Sequence, residues 1–288
     1  MTPAETTYRT QRGLVYADLG PTKLRMTLYI PEDGDALRPG MVLIHGGAWI
    51  LGTRYQQAWY CRAFARAGYV VMTIDYRLMP RNAFPCCLHD CKAAVRWLRQ
   101  NADRYRIDPD RIATFGASAG GHLAALLATT MPEDGLEGDV NPGVSSEVCA
   151  AISLYGAVDL QQYYDTPLIG PLGRITSNFF DKFIAPHGSK ISGASPLHFA
   201  RPATKPIMLV HGTWDHLVHY SQSERFHQRL VELGVPTKLI AVEGREHGFD
   251  YLHTSKRREL FGEMRKFLAE QRCEIAGELP LSTTPATI

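Results

Sequence analysis

The stretch that decides the fold reads Ile112-Ala113-Thr114-Phe115-Gly116-Ala117-Ser118-Ala119-Gly120-Gly121-His122. Ile112 to Phe115 is a short apolar run of buried-strand character, and His122 to Ala128 continues as an apolar helical run. Between them lies a Gly-x-Ser-x-Gly sequence. In a nucleophile elbow the serine sits on a strained turn from strand to helix, and small residues two positions to either side let those elements approach closely. Gly116 and Gly120 meet that requirement. The pattern alone recurs by chance, but its strand-turn-helix setting makes Ser118 the candidate nucleophile.

The same alternation extends in both directions along the chain. Gly13 to Ile30 alternates apolar and polar residues around Gly20-Pro21, the signature of a hairpin. Met41 to Ile44 has no polar residue at alternate positions, so it is expected to be buried on both faces of a sheet. A helix is expected from about 57 to 67, a strand over 69–74, a helix from about 85 to 102 and a strand over 148–154. Further strands are expected over 207–210 and 237–242, with a helix over 221–233 between them and a last helix ending near Gln271. Short buried strands alternating with amphipathic helices predict an α/β fold, a mostly parallel central sheet with helices on both faces. Ligands of such sheets bind at the C-terminal strand ends.

At 288 residues one α/β domain is the expectation. With 45% hydrophobic and 21% charged residues and a net charge of +2, the composition is that of a globular chain with a large core. Basic and acidic residues are interspersed, which speaks against nucleic acid as a partner. The polar N-terminus and the absence of a long apolar run argue against a membrane anchor and for a cytoplasmic location. Cys61, Cys87, Cys91 and Cys149 fall inside apolar patterns and read as reduced thiols. The cluster Cys86, Cys87, His89, Asp90, Cys91 lacks the spacing of a zinc site, so packing is its expected role. Two segments break the rhythm. Residues from about 160 to 195 are aromatic and rich in Gly and Pro, as in an inserted lid or substrate element; the Pro/Thr-rich tail from about 276 to 288 reads as loose.

A serine hydroxyl needs a base to take its proton and a third group to orient that base. Among the 11 histidines, His247 is favoured because it lies in a loop between a buried strand and a helix, at the expected C-terminal edge of the sheet. Asp215 lies just beyond the strand 207–210 and is the preferred orienting acid. Asp159 and Asp250 are weaker candidates, the first as a cap or turn residue, the second as too close to His247. The third element is His45-Gly46-Gly47-Ala48-Trp49, directly after a strand. The backbone N–H groups of Gly47, Ala48 and Ala119 are assigned to an oxyanion hole, each donor being worth on the order of 3 kcal/mol, with Gly46 shaping the turn and His45 holding the loop. Trp49, Tyr163, Tyr164 and Phe179 are candidates for the substrate pocket. Trp97, Phe64 and Phe115 read as core, and Trp214 and His216 as packing beside Asp215.

Together, His45 to Trp49, Asp75-Tyr76-Arg77-Leu78-Met79-Pro80, Phe84-Pro85, Asp90 to Leu98 and Asp108 to Ala125 resemble the hormone-sensitive-lipase-like esterases. They are more similar still to the compact acetyl and feruloyl esterase-like branch. The resemblance runs from about Gly13 to Arg272. It implies an α/β-hydrolase fold and a serine carboxylesterase that needs no metal or organic cofactor. It also implies the triad Ser118, Asp215, His247, in the order usual for that fold, with donors at Gly47, Ala48 and Ala119. Two departures bear on substrate preference: Ala48 stands where the family often has a third glycine, and Ala117 where it often has an acidic residue. The expected substrate is a small ester with a short-chain or aromatic acyl group, turned over through an acyl-enzyme. A kynurenine-formamidase-like amidase and a non-catalytic ligand-binding relative are the alternatives, and a homodimer is left open.

Overall fold

In Met41-Val42-Leu43-Ile44 four apolar side chains follow one another, and because successive strand residues point to opposite faces they enter two different cores. Met41 and Leu43 pack with Cys61, Phe64, Leu260, Met264 and Phe267, whereas Val42 and Ile44 pack with Leu88, Val95, Leu123, Leu126 and Phe226. A strand buried on both faces can afford no alternation, which is why its sequence shows none. The computed structural model describes residues 6–165, 182, 184 and 191–273. Most of the expected insertion and the tail from 276 to 288 lie outside them.

Eight strands form one sheet, β1 (Tyr8–Asp18), β2 (Lys23–Pro31), β3 (Arg38–Ile44), β4 (Val70–Ile74), β5 (Ile107–Ala117), β6 (Ala151–Leu154), β7 (Ile207–Gly212) and β8 (Thr237–Val242). Their order is β1-β2-β4-β3-β5-β6-β7-β8. β2 runs antiparallel to β1 and β4, and every pairing from β4 to β8 is parallel. The helices among the described residues are α1 (Ala58–Arg66), α2 (Cys86–Gln100), α3 (Ala102–Tyr105), α4 (Ala119–Thr129), α5 (Leu160–Asp165), α6 (Pro196–Phe199), α7 (Ser221–Glu232), α8 (Phe249–Leu252) and α9 (Thr254–Glu270). α1 and α9 cover one face of the sheet and α2, α4 and α7 the other. None of these helices is long and apolar enough to cross a membrane.

The thiols need one correction. Cys149 and Cys273 form a disulfide across 124 residues, with Cα atoms 6.3 Å apart, so the reading of Cys149 as reduced does not hold. Neither cysteine has a neighbour in sequence that announces the other; the packing of α9 on the sheet beside the start of β6 brings them together. Their bond also removes thiol state as an argument for a reducing compartment. Cys61, Cys86, Cys87 and Cys91 are free. Cys87 and Cys91 are core side chains, and Asp90 between them takes Nη2 of Arg77 at 2.7 Å and its backbone N–H at 2.8 Å.

The site is positioned by the crossing of β3, β5 and α4. A Cβ on Gly116 would lie 2.0 Å from the carbonyl oxygen of Gly120, and one on Gly120 would lie 2.0 Å from that of Ile44. Both obstacles are backbone, which cannot rotate away. Gly120→Ala is therefore expected to lower stability by about 2–4 kcal/mol in urea unfolding. Unchanged stability would show that α4 does not need this close contact.

Candidate active site

Ser118 sits between the last residue of β5 and the first of α4 with φ 57° and ψ −122°, a conformation costly for any residue with a side chain. The turn is held on both sides. The Ser118 N–H donates to the carbonyl of Leu154 at 2.8 Å and its own carbonyl accepts from His122 N–H at 3.0 Å. The hydroxyl is thereby aimed away from the sheet, at the C-terminal strand ends.

Three strand ends deliver the other groups. His247, in the loop between β8 and α8, brings Nε2 to 2.9 Å from Ser118 Oγ and Nδ1 to 2.7 Å from Asp215 Oδ2. A carboxylate only accepts, so Nδ1 carries the proton and Nε2 is left to accept from the serine hydroxyl. Asp215, at the end of β7, is 3% exposed. Its Oδ1 accepts the N–H groups of Leu217 at 2.9 Å and Val218 at 2.8 Å. Burial pushes this carboxyl up. The hydrogen bonds from His211 and His247, the nearby imidazole charge and the Val218 amide outweigh that and hold it well below the usual carboxylate range.

His211 is a group that the sequence reading did not single out. It is fully buried; its Nε2 lies 2.8 Å from the carbonyl of Val218 and 3.2 Å from Asp215 Oδ2, and its Nδ1 lies 2.7 Å from Ser223 Oγ. Asp215 thus lies between two imidazoles. Asp159, a weaker candidate for the acid, is occupied elsewhere: it caps α5 through Gln162 N–H at 3.0 Å and pairs with Arg225 at 3.0 Å. Asp250, the other weaker candidate, is buried on α8 and bonded to Tyr155.

The loop after β3 lies against the elbow. A Cβ on Gly46 would meet the carbonyl oxygen of Ala117 at 2.8 Å and Ser118 Cβ at 3.2 Å. Gly47, Ala48 and Trp49 all have positive φ, 120°, 50° and 61°. Among the described residues the N–H groups of Gly47 and Ala48 have no backbone acceptor, and Ala119, as the first residue of α4, has an amide with no partner inside its helix. His45 stacks on Tyr76 with ring centroids 4.3 Å apart and places Nδ1 2.8 Å from the carbonyl of Gly46. Burial lowers its basicity, with the Gly46 contact offsetting part.

A cavity of about 60 Å³ opens beside Ser118, walled by Ala48, Trp49, Ala119, Ala157, Leu217 and Val218. Trp49 was expected there; Ala157, Leu217 and Val218 were not. The backbone of Tyr163 and Tyr164 belongs to α5, but their side chains and the whole of Phe179 lie outside the described residues. Trp214, expected to pack beside Asp215, is 63% exposed. The Trp49 indole donates to Nδ1 of His122 at 3.1 Å, so Nε2 of His122 carries the proton and donates to the carbonyl of Ala194 at 2.7 Å.

The BD-FAE family profile matches residues 26–230. Esterase LipC of Mycobacterium tuberculosis is 30% identical over 220 residues, which cover 74% of this chain and 54% of LipC. The chain spans about half the length of that relative. The esterase Est2 of the planctomycete Thermogutta terrifontis, solved with butyrate bound, is 27% identical with a TM-score of 0.76, over 95% of this chain and 97% of that one. The same esterase phosphorylated by paraoxon is 28% identical with a TM-score of 0.75, over 96% and 98%. The fold is that of the α/β-hydrolases. Within it, the chain belongs to the BD-FAE family.

His122 gives the site an acid limit of its own. Burial lowers its pKa to about 4, the Ala194 carbonyl offsetting only part; in the geometry, a proton on Nδ1 would face the indole N–H of Trp49. The folded state therefore binds fewer protons than the unfolded one between the ordinary histidine value near 6.5 and about 4. Its stability contribution is intact above that window and lost as pH falls through it. His122→Gln should flatten this decline in thermal unfolding measured from pH 7 to 4; parallel pH curves for the two proteins would show that His122 is not responsible.

Proposed function

We propose that this chain hydrolyses carboxylic esters of short acyl groups through an acyl-enzyme on Ser118. The observation that carries the reading is the continuous line of hydrogen bonds from Ser118 Oγ through His247 to Asp215, at 2.9 and 2.7 Å. His247 accepts the serine proton at Nε2 as Oγ attacks the ester carbonyl. Asp215 holds the ring through Nδ1 and stabilises the imidazolium. The negative oxygen of the tetrahedral intermediate is taken by the N–H groups of Gly47, Ala48 and Ala119. His247 then gives its proton to the departing alkoxide, and the alcohol leaves. Water, deprotonated by the same histidine, attacks the acyl-enzyme and releases the acid.

The cavity supports a short acyl group. On a scale where one water needs about 10–15 Å³, the 60 Å³ beside Ser118 holds roughly four non-hydrogen atoms, enough for an acetyl to butyryl chain and too little for a ring with its substituents. Trp49, Leu217 and Val218 wall it with apolar surface, and the Ala48 methyl narrows it. The butyrate in the Est2 structure and the reaction of that esterase with paraoxon support the same chemistry here. Neither step calls for a cofactor.

Ser118→Ala is expected to lower turnover of p-nitrophenyl butyrate by roughly a thousandfold or more without a change in Tm. A fluorophosphonate probe should label the parent protein and not the variant. Full activity in the variant would remove Ser118 from the mechanism, and an unlabelled parent would favour a ligand-binding role. Across an acyl series, kcat/KM should be highest between two and four carbons and fall about tenfold or more by eight. A flat series would show that the cavity does not set the preference, while faster turnover of N-formylkynurenine than of any ester would make the protein an amidase.

A further inference from the structure

Two of the contacts on His247 lie in the plane of its ring, at Nδ1 and Nε2. They fix the line along which protons move, but a ring held at two points still turns about the axis through them. What stops that rotation must touch the ring from the side. Tyr155 does so, with its ring centroid 4.6 Å from that of His247 and the planes inclined at 61°.

Tyr155 is held with unusual care. It follows β6 directly, has φ 38°, and is 1% exposed. Positive φ is a genuine outlier for a bulky residue and persists only where the surroundings over-determine it. Here the backbone N–H donates to the carbonyl of Val210 at 2.7 Å, Phe249 packs against the ring at 5.6 Å, and the phenol hydroxyl donates to Asp250 Oδ1 at 2.5 Å. Asp250 is 2% exposed and stands three residues after His247. The contacts close a circuit from His247 along the backbone to Asp250, across to Tyr155, and back through the rings to His247.

We propose that Tyr155 and Asp250 are a positioning pair for the catalytic histidine: Asp250 anchors the phenol ring against the imidazole, fixing its tilt and supporting its charge when it is protonated. This rests on His247 being the base of the proposed mechanism. An aromatic ring beside a cation favours the charged form, and the imidazolium exists only once the serine proton has been taken, so the effect belongs to the transition state rather than to substrate binding.

The other titratable groups around the pair are few. Ser118, Asp215 and Tyr155 meet His247. Asp250 faces Tyr155, the charge of Arg257 on α9, the neighbouring Tyr251 of α8, and Tyr60 of α1, whose hydroxyl stops short of hydrogen-bond geometry. Burial raises the Asp250 carboxyl above its usual range, and the bonds from Tyr155 and its own backbone offset only part.

The test compares Tyr155→Leu, Tyr155→Phe and Asp250→Asn with the parent, using p-nitrophenyl butyrate well below each Tm and counting active sites by fluorophosphonate labelling. Tyr155→Leu removes the ring; kcat should fall about tenfold or more with KM within about twofold. The acid limb of its pH profile should move down by about half a pH unit, because the imidazolium has lost support. Tyr155→Phe keeps the ring without its anchor and should fall between. Asp250→Asn still offers an oxygen to the phenol and should stay within about threefold of the parent. Lower Tm with kcat, KM and the acid limb unchanged would overturn the proposal and leave the pair a packing element. Should Tyr155→Leu not fold, the same readouts on Tyr155→Phe decide. Activity surviving in Ser118→Ala or His247→Ala would instead count against the triad itself.

Discussion

The contact on which the rest depends is between two pieces of backbone, Gly120 in the first turn of α4 and the carbonyl of Ile44 at the end of β3. With no side chain between them, the helix rests directly on the strand ends, and its first turn points at the place where β3, β5 and β6 stop. That single approach puts a serine, a free helix amide and the glycine loop after β3 within reach of one another. If the helix stood off by the width of a methyl group, the amides of that loop and the Ser118 hydroxyl would belong to different neighbourhoods. Glycine here is a demand of distance, and the demand is structural before it is chemical.

Polar groups converge on this apolar frame in an order set by partnership. Asp215 can be buried because four donors reach it, two imidazoles and two amides. His247, in a turn rather than a regular element, has its ring fixed by Ser118, Asp215 and Tyr155. His122 and Trp49 join the loop after β3 to Ala194, near the end of the expected insertion, by two hydrogen bonds with fixed proton positions, so the shape of the cavity beside Ser118 and the neutrality of a buried histidine are one requirement.

Much of this could be read from the chain. The apolar runs 41–44 and 207–210 gave their strands because a doubly buried strand has no other way to be written, and a parallel sheet gathers its C-terminal ends at one edge, which made Asp215 and His247 legible as partners of Ser118. Boundaries were less so. β5 extends back to Ile107 through Asp108 and Pro109, because Arg38 of β3 supplies a pairing partner that local pattern does not show. β6 begins at Ala151 rather than at 148, since Cys149 is engaged by Ile112 outside a regular ladder. The groups that brace the site were silent: His211 meets Asp215 across a turn, Tyr155 meets Asp250 across 95 residues, and Ala157, Leu217 and Val218 are ordinary apolar residues until the fold turns them toward Ser118. Periodicity reports faces of elements, and these contacts are made between their ends.

The bond between Cys149 and Cys273 divides the molecule in a way that the sheet does not. It closes a covalent ring that contains Asp215 and His247, while Ser118 and the loop from His45 to Trp49 lie outside it on the N-terminal arm. A single cut of the chain between Asp165 and Ile191 would part Ser118 from Asp215 and His247 in sequence, yet the two fragments would remain one molecule. Only reduction would separate them, so a nicked chain would migrate at full mass until a thiol was added.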